Sequence, residues 1–314
     1  MVTGLLLTSV LTATAPHPEL GIVDWERDFR AAQSESARSG RPMLVLFDEV
    51  PGCSTVRGYG ERVLSHPLIK EAMETLFVPV AVFNNVGGED RKVLNHFREA
   101  TWNNPAVRIM SSDEKPLARR LYGDYSVAAT ARVMIEALEA KGQSAPSYLE
   151  LLTASARTET ATYEMYCFWS GEVALGGVDG VVKSEPGFNG GEVVRLEYDR
   201  KLVSLSDLDR VAKSARAKRV SSDRFVPSPK DDKYQLKHSL LRFVPLTDTQ
   251  ASRVNAALGQ RANPLVHLSP GQREIYSAIK RQNGAGWTSQ IGRRDFARAY
   301  RRAQDKARTV LARR

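Results

Sequence analysis

Two predicted strands that each lead to a cysteine constrain the fold of this chain most. Met43–Phe47 is a continuous apolar run of strand length, typical of a central strand buried on both faces, and Cys53 follows it after a turn. Thr162–Tyr166 is a second predicted strand, and it ends directly at Cys167. Because a helical pattern follows each cysteine, the sequence predicts two α/β units, each with one thiol at a strand-to-helix junction.

The length of 314 residues, with 42% hydrophobic and 26% charged residues, fits a folded chain of two domains. We predict a leader or signal-like segment over residues 1–20, a first domain over 21–142, a second over 158–260, and a helical basic tail over 261–314. No apolar stretch reaches the roughly 18 residues expected of a membrane-spanning helix. Among the other elements, a helix is predicted from Trp25 and a strand over Leu240–Val244.

The formal net charge of +9 is concentrated near the C-terminus. Residues 291–314 hold nine Lys or Arg and two Asp, a net charge of +7, which leaves +2 for the other 290 residues. This distribution does not indicate a domain-wide basic groove, so we predict no nucleic-acid partner. Three interpretations of residues 292–314 stay open: an amphipathic helix packed on the protein, peripheral contact with an anionic membrane, or contact with an acidic partner.

The N-terminus has some features of a secretory signal. Leu5–Leu11 is short and mostly apolar, and Ala13-Thr14-Ala15 has the A-x-A pattern of a cleavage site, but residues 2–4 contain no Lys or Arg. We expect an exported, periplasmic or extracytoplasmic protein. A cytoplasmic protein with a disordered leader or a misassigned start is the alternative.

Two cysteines are too few for a disulfide scaffold or a cysteine-only zinc site, and the five histidines lack metal-ligand spacing. We therefore predict no metal and no cofactor. Cys53 lies shortly before a predicted helix, whose free N–H groups and dipole would lower the pKa of the thiol and make it reactive. The alternative is a cysteine that serves as a small apolar residue.

Several motifs occur in a fixed order around Cys53: Trp25, Arg41-Pro42, the strand Met43–Phe47, Val50-Pro51-Gly52-Cys53, and Asn103-Asn104-Pro105. Over about residues 22–140 this order resembles the thioredoxin superfamily, and more narrowly a thioredoxin-like family that can carry selenocysteine at the cysteine position. The resemblance implies a thioredoxin-like fold with Pro105 as the cis-proline beside Cys53. Thioredoxins have a second cysteine where this chain has Val56, so no disulfide can form within the motif.

Around Cys167 the ordered motifs are Tyr166-Cys167-Phe168-Trp169, Gly187-Phe188-Asn189-Gly190-Gly191, and Glu192-Val193-Val194. Over about residues 160–217 they resemble A-type peptide methionine sulfoxide reductases, with a weaker similarity through Asp232, Tyr234 and Gln250. The resemblance implies that Cys167 is the nucleophile, that Phe168 and Trp169 hold the substrate methyl group, and that Glu192 donates a proton to the sulfoxide oxygen. Such a donor needs a pKa near neutrality, which a carboxyl between apolar walls acquires.

The chain departs from that family in two ways. A long segment that carries an oxygen-binding tyrosine is absent, because Gly191 directly precedes Glu192. No C-terminal resolving cysteine exists, so regeneration of Cys167 would need Cys53 or an external thiol reductant. A buried Cys167 among core aromatic residues is the alternative.

We expect a thiol-based oxidoreductase that reduces methionine sulfoxide in an oxidised protein or peptide through Cys167, with the first domain as redox partner. Two other functions stay open: a non-catalytic scaffold that kept two redox folds, and a monothiol peroxide-reactive protein acting through Cys53. A permanent disulfide between Cys53 and Cys167 is a further alternative.

Overall fold

A computed structural model describes residues 17–102, 105–154 and 157–313. Its strands are β1 Met43–Asp48, β2 Val78–Phe83, β3 Ala106–Met110, β4 Glu159–Glu164, β5 Val181–Phe188, β6 Glu192–Tyr198, β7 Lys218–Val220 and β8 Val226–Pro227. Its α-helices are α1 Phe29–Ser39, α2 Ser54–Tyr59, α3 Pro67–Leu76, α4 Gly88–His96, α5 Val127–Ala140, α6 Ser147–Glu150, α7 Phe168–Leu175, α8 Leu205–Ser214, α9 Tyr234–Lys237, α10 Asp248–Gly259, α11 Pro270–Arg281 and α12 Phe296–Ala312. A π-helical turn spans Gly60–Leu64, and 3₁₀ turns span Pro18–Leu20, Leu240–Phe243 and Pro264–His267.

The first sheet has the order β2-β1-β3, with β1 parallel to β2 and antiparallel to β3. Every residue of β1 is buried, as its continuous apolar run predicts. Val45 and Phe47 belong to one hydrophobic cluster with α1 and α4, whereas Leu44 and Leu46 belong to another with α3 and α5. The alternation of side chains along the strand therefore places helices on both faces of this sheet.

The second sheet is antiparallel with the order β7-β4-β6-β5-β8. Its core joins Tyr163 and Leu196 of the sheet to Phe168 of α7 and Leu208 of α8. Helix α10 packs against both α7 and β5. The predicted α/β fold class is confirmed, with two sheets flanked by helices and a helix at the C-terminal end of the described chain.

Two predicted elements differ from the structure. Helix α1 begins at Phe29 rather than Trp25, because the Asp28 side chain accepts from the N–H groups of Arg30 and Ala31 and so caps the helix there. The predicted strand Leu240–Val244 is wrong, since this segment is a 3₁₀ turn. A short apolar run is compatible with either conformation, and the Ser239 side chain caps the turn by accepting from the N–H of Leu241.

Helix α12 is packed on the protein through its apolar stripe. Tyr300, Ala303 and Ala307 are buried, and Phe296 and Val310 pack beside them. These side chains belong to the same hydrophobic cluster as α3 and α5. The C-terminal tail thus completes the core of the first unit.

Residues 1–16, which carry the predicted A-x-A pattern, lie outside the described residues. The sequence assigned 17–20 to the leader, but in the structure they pack against the first unit, where Glu19 is only 2% exposed. In the described chain, every helix is too short or too polar to cross a membrane.

One carboxylate ties three helices together. Glu71 on α3 accepts hydrogen bonds from the Ser269 hydroxyl at 2.7 Å, the Gly271 N–H at 2.6 Å and the Tyr300 hydroxyl at 2.7 Å. Gly271 lies in the first turn of α11, where free N–H groups and the helix dipole favour a negative charge.

We predict that Glu71→Gln lowers the free energy of unfolding by about 1–3 kcal/mol, since one acceptor oxygen becomes an NH₂ facing hydrogen-bond donors. Urea denaturation measures this loss. The matched control is Glu274→Gln, because Glu274 is an exposed carboxylate on α11. An equal loss in both variants would contradict the role assigned to Glu71.

Candidate active site

Cys53 is exposed and lies immediately before α2. The sequence placed this helix later, near Gly60, but it begins at Ser54, directly after the cysteine. The backbone N–H groups of Val56 and Thr55 lower the pKa of the Cys53 thiol. The thiol therefore has the setting of a reactive cysteine.

Two buried carboxyl groups, which the sequence analysis did not select, lie next to the Cys53 turn. Asp48 ends β1 and is fully buried, and burial raises its pKa to about 8, with the charges of Glu19 and the Cys53 thiolate adding to the shift. Glu19 accepts from the Gly52 N–H at 3.0 Å. In the sequence, Asp48 is recognisable as an acidic residue at the end of an apolar strand, whereas no sequence pattern marks Glu19.

Pro105 lies at the same end of the first sheet. It is buried and directly precedes Ala106, which is paired with Phe47 near the end of β1. The peptide bond between Asn104 and Pro105 falls outside the described residues, so its predicted cis form stays a prediction. The structure has a cis peptide bond at Val50–Pro51.

We predict that Asp48→Asn stabilises the protein increasingly as the pH rises from about 4 to about 8. The carboxyl of Asp48 titrates near 4 when unfolded and near 8 when folded. The stability that the neutral carboxyl contributes is therefore fully present below the pKa of the unfolded state. It is lost as the pH rises through the pKa of the folded state. Denaturation of both proteins across this range measures the difference, and Glu89→Gln, at a carboxylate whose side chain is 83% exposed, is the control. A difference that is constant with pH would contradict the assignment.

Cys167 is half-buried and lies immediately before α7. Glu192 begins β6, which pairs with β4, and the Met165 N–H donates to the Glu192 carbonyl at 3.1 Å. This pairing brings the Glu192 side chain to the start of α7, where its Oε2 accepts from the Phe168 N–H at 2.9 Å. The structure thus places the predicted nucleophile and the predicted proton donor at the same helix N-terminus.

Aromatic side chains form a wall beside this helix N-terminus. The Trp169 ring stacks on Tyr234 with 4.2 Å between centroids and an interplanar angle of 23°. Phe168 is buried between Trp169, at 5.8 Å, and Phe188, at 5.6 Å. Tyr166, which directly precedes Cys167, is 99% exposed. Phe168, Trp169, Phe188 and Tyr234 therefore form one chain of contacting rings that includes the residue directly after Cys167.

Tyr234 is the site residue that the sequence analysis named only as a weak similarity. Its position is set by the preceding residue, Lys233, whose backbone has the left-handed conformation with φ of 54°. The Lys233 ammonium contacts Glu172 of α7 at 2.9 Å and Asp232 at 2.7 Å. The Lys233 N–H donates to the other Glu172 oxygen at 3.0 Å.

This ion pair is fully desolvated, since Glu172 is 0% and Lys233 is 3% exposed. Burial raises the pKa of Glu172, with the Lys233 ammonium opposing that shift. Burial alone would lower the pKa of Lys233, but the carboxylates of Glu172 and Asp232 outweigh it and raise the pKa. The pair fastens the segment that carries Tyr234 to the helix that carries Trp169.

We predict that Glu172→Gln lowers the free energy of unfolding by about 3–5 kcal/mol, because it leaves the buried Lys233 charge without its main partner. Guanidinium denaturation measures this loss. The double variant Glu172→Gln/Lys233→Met removes both charges and should recover part of the stability. No recovery would show that the pair acts through packing rather than charge.

The structure brings Cys167, Glu192, Phe168 and Trp169 together beside the second sheet. Cys53 lies with Asp48 and Glu19 beside the first sheet. Both cysteines are free thiols. The two sites therefore each supply one thiol.

Comparisons with known proteins give a local similarity. No protein-family model matches the chain. The chain is 38% identical over an alignment of 71 residues to the peptide methionine sulfoxide reductase MsrA of Methanococcus maripaludis, an alignment that takes in 17% of this chain and 45% of that protein. The chain thus spans under half the length of this relative. The solved structure of the DsbH oxidoreductase is similar with a TM-score of 0.33 and 15% identity, over 43% of this chain and 94% of that one. Neither comparison bears on the narrower resemblance of Val50-Pro51-Gly52-Cys53 to the thioredoxin-like family that can carry selenocysteine.

Proposed function

We propose that this protein is a thiol oxidoreductase that reduces methionine sulfoxide in oxidised proteins or peptides through Cys167. The observation that supports the proposal is the hydrogen bond from the Phe168 N–H to the Glu192 carboxylate, which joins this side chain to the start of α7, directly after Cys167. The stacked Trp169 and Tyr234 rings beside them offer an apolar surface for a methyl group. The local similarity to MsrA supports the same chemistry.

The proposed reaction consumes one thiol and one sulfoxide. The Cys167 thiolate attacks the sulfoxide sulfur while the Glu192 carboxyl donates a proton to the oxygen. The protonated oxygen is transferred from the substrate sulfur to the Cys167 sulfur as the new bond between the two sulfur atoms breaks. Methionine thus leaves as the sulfide, and Cys167 is oxidised to a sulfenic acid. A second thiol condenses with the sulfenic acid, which releases water and forms a disulfide. An external thiol then reduces this disulfide and closes the cycle.

Cys53 supports a second function. Its thiol is exposed, has a lowered pKa, and lies near the buried carboxyl of Asp48. These properties suit either a thiol that resolves oxidised Cys167 or one that reacts directly with peroxide. Without a cysteine at Val56, either reaction requires a thiol from outside this motif.

The deciding experiment measures methionine sulfoxide reduction with dithiothreitol as reductant. We expect Cys167→Ser to abolish the activity and Cys53→Ser to retain it, because dithiothreitol can resolve the sulfenic acid. We expect Glu192→Gln to lower kcat by about 10²–10⁴-fold, as loss of general acid catalysis does.

Thiol titration after one equivalent of methionine sulfoxide, without reductant, separates the roles of the two cysteines. Loss of both thiols in the wild type would identify Cys53 as the resolving thiol. Activity that survives in Cys167→Ser would overturn the proposal. If Cys53→Ser alone abolished consumption of hydrogen peroxide, the Cys53 function would be the supported one.

A further inference from the structure

A cavity of about 480 Å³ lies between α12 and the loop that precedes it, away from both thiols. Five cationic side chains line it: Arg293, Arg294, Arg298, Arg302 and Lys306. The lining contains one acid, Asp295, and its carboxylate is already used to cap α12 by accepting from the Arg298 N–H at 2.9 Å. The cavity therefore carries a strong excess of positive charge.

Three of these cations form a regular row. Arg298, Arg302 and Lys306 are spaced four residues apart on α12, so they lie on one ridge and span about 12 Å along the axis. The last of them is fixed by the opposite wall. The Lys306 ammonium donates to the Gly286 carbonyl and lies 4.4 Å above the Trp287 ring. Trp287 is itself held by a hydrogen bond to Gln282 at 2.9 Å.

Within residues 17–102, 105–154 and 157–313, no carboxylate forms an ion pair with any of the five cations. An exposed charged side chain on a protein surface usually gains little stability from an ion pair. Five like charges around one cavity, however, repel each other. A multivalent anion in the cavity would remove this repulsion, and guanidinium groups bind phosphate through paired hydrogen bonds.

The packing of α12 argues against insertion of this helix into a membrane. An interfacial helix buries its apolar face among lipids, whereas the stripe that contains Tyr300, Ala303 and Ala307 is buried in the protein core. The row of cations instead lines a cavity whose volume is that of a small-molecule site. Both observations favour a soluble ligand of limited size.

We propose that this cavity binds a soluble oligophosphate, meaning an anion with several phosphate groups in a row. The row on α12 contacts successive phosphates, and Arg293 and Arg294 close one end. Neither cysteine lines this cavity, so the proposal does not depend on the proposed function.

Isothermal titration calorimetry of the full chain with inorganic tripolyphosphate tests the proposal. We expect Arg298→Gln/Arg302→Gln to weaken binding by about tenfold or more, a loss of about 1.4 kcal/mol. The matched control is Arg301→Gln/Arg308→Gln, which removes the same charge from the other side of α12, where these residues line a different cavity with Glu71 and Glu274. We expect less than a twofold change in the control.

Four outcomes would overturn the proposal: no binding by the wild type, equal losses in the two double variants, binding to phosphatidylcholine–phosphatidylserine vesicles that tripolyphosphate does not displace, or such binding to a single-stranded oligonucleotide. All the substituted arginines are exposed, and circular dichroism checks that each variant stays folded. Cys167→Ser should bind tripolyphosphate as the wild type does, which keeps this result separate from the assay of the thiols.

Discussion

The buried ion pair between Glu172 and Lys233 is the interaction on which the geometry of the Cys167 site depends. Desolvating two charges is costly, and the cost is offset here only because the Glu172 oxygens and the Lys233 ammonium are nearly saturated with hydrogen bonds. A pair of this kind tolerates little displacement. It therefore fixes the register between α7 and the segment that leads to Tyr234, and with it the stacking of Tyr234 on Trp169.

The two thiols differ in how their surroundings act on them. Cys53 is open to solvent and faces helix N–H groups, with the buried carboxyl of Asp48 near it. Cys167 is half-buried, and a carboxylate rather than a free helix end occupies the space beside it. One environment favours the thiolate itself, and the other holds a carboxylate at the helix end that follows the thiol.

The sequence predicted the parts of the fold that depend on local patterns. The continuous apolar run over Met43–Phe47 is the buried strand β1, as its pattern predicts. Contacts between distant segments could not be read in this way. Nothing in the sequence relates Glu19 to Gly52, or Glu71 to Tyr300, because those pairs are set by tertiary packing. Tyr234 gave a weak signal, since only the left-handed Lys233 turns it toward Trp169.

The packing of α12 into the first unit has a consequence for biosynthesis. Tyr300 of α12, near the C-terminus, donates a hydrogen bond to Glu71 of α3 in the first unit. Such a contact closes a very long loop and forms late in folding. During translation, the first unit leaves the ribosome before α12 is synthesised, so the part of its core that α12 covers stays exposed until that helix packs against it. The first unit is therefore synthesised early, but its core is completed only after α12 has packed against it.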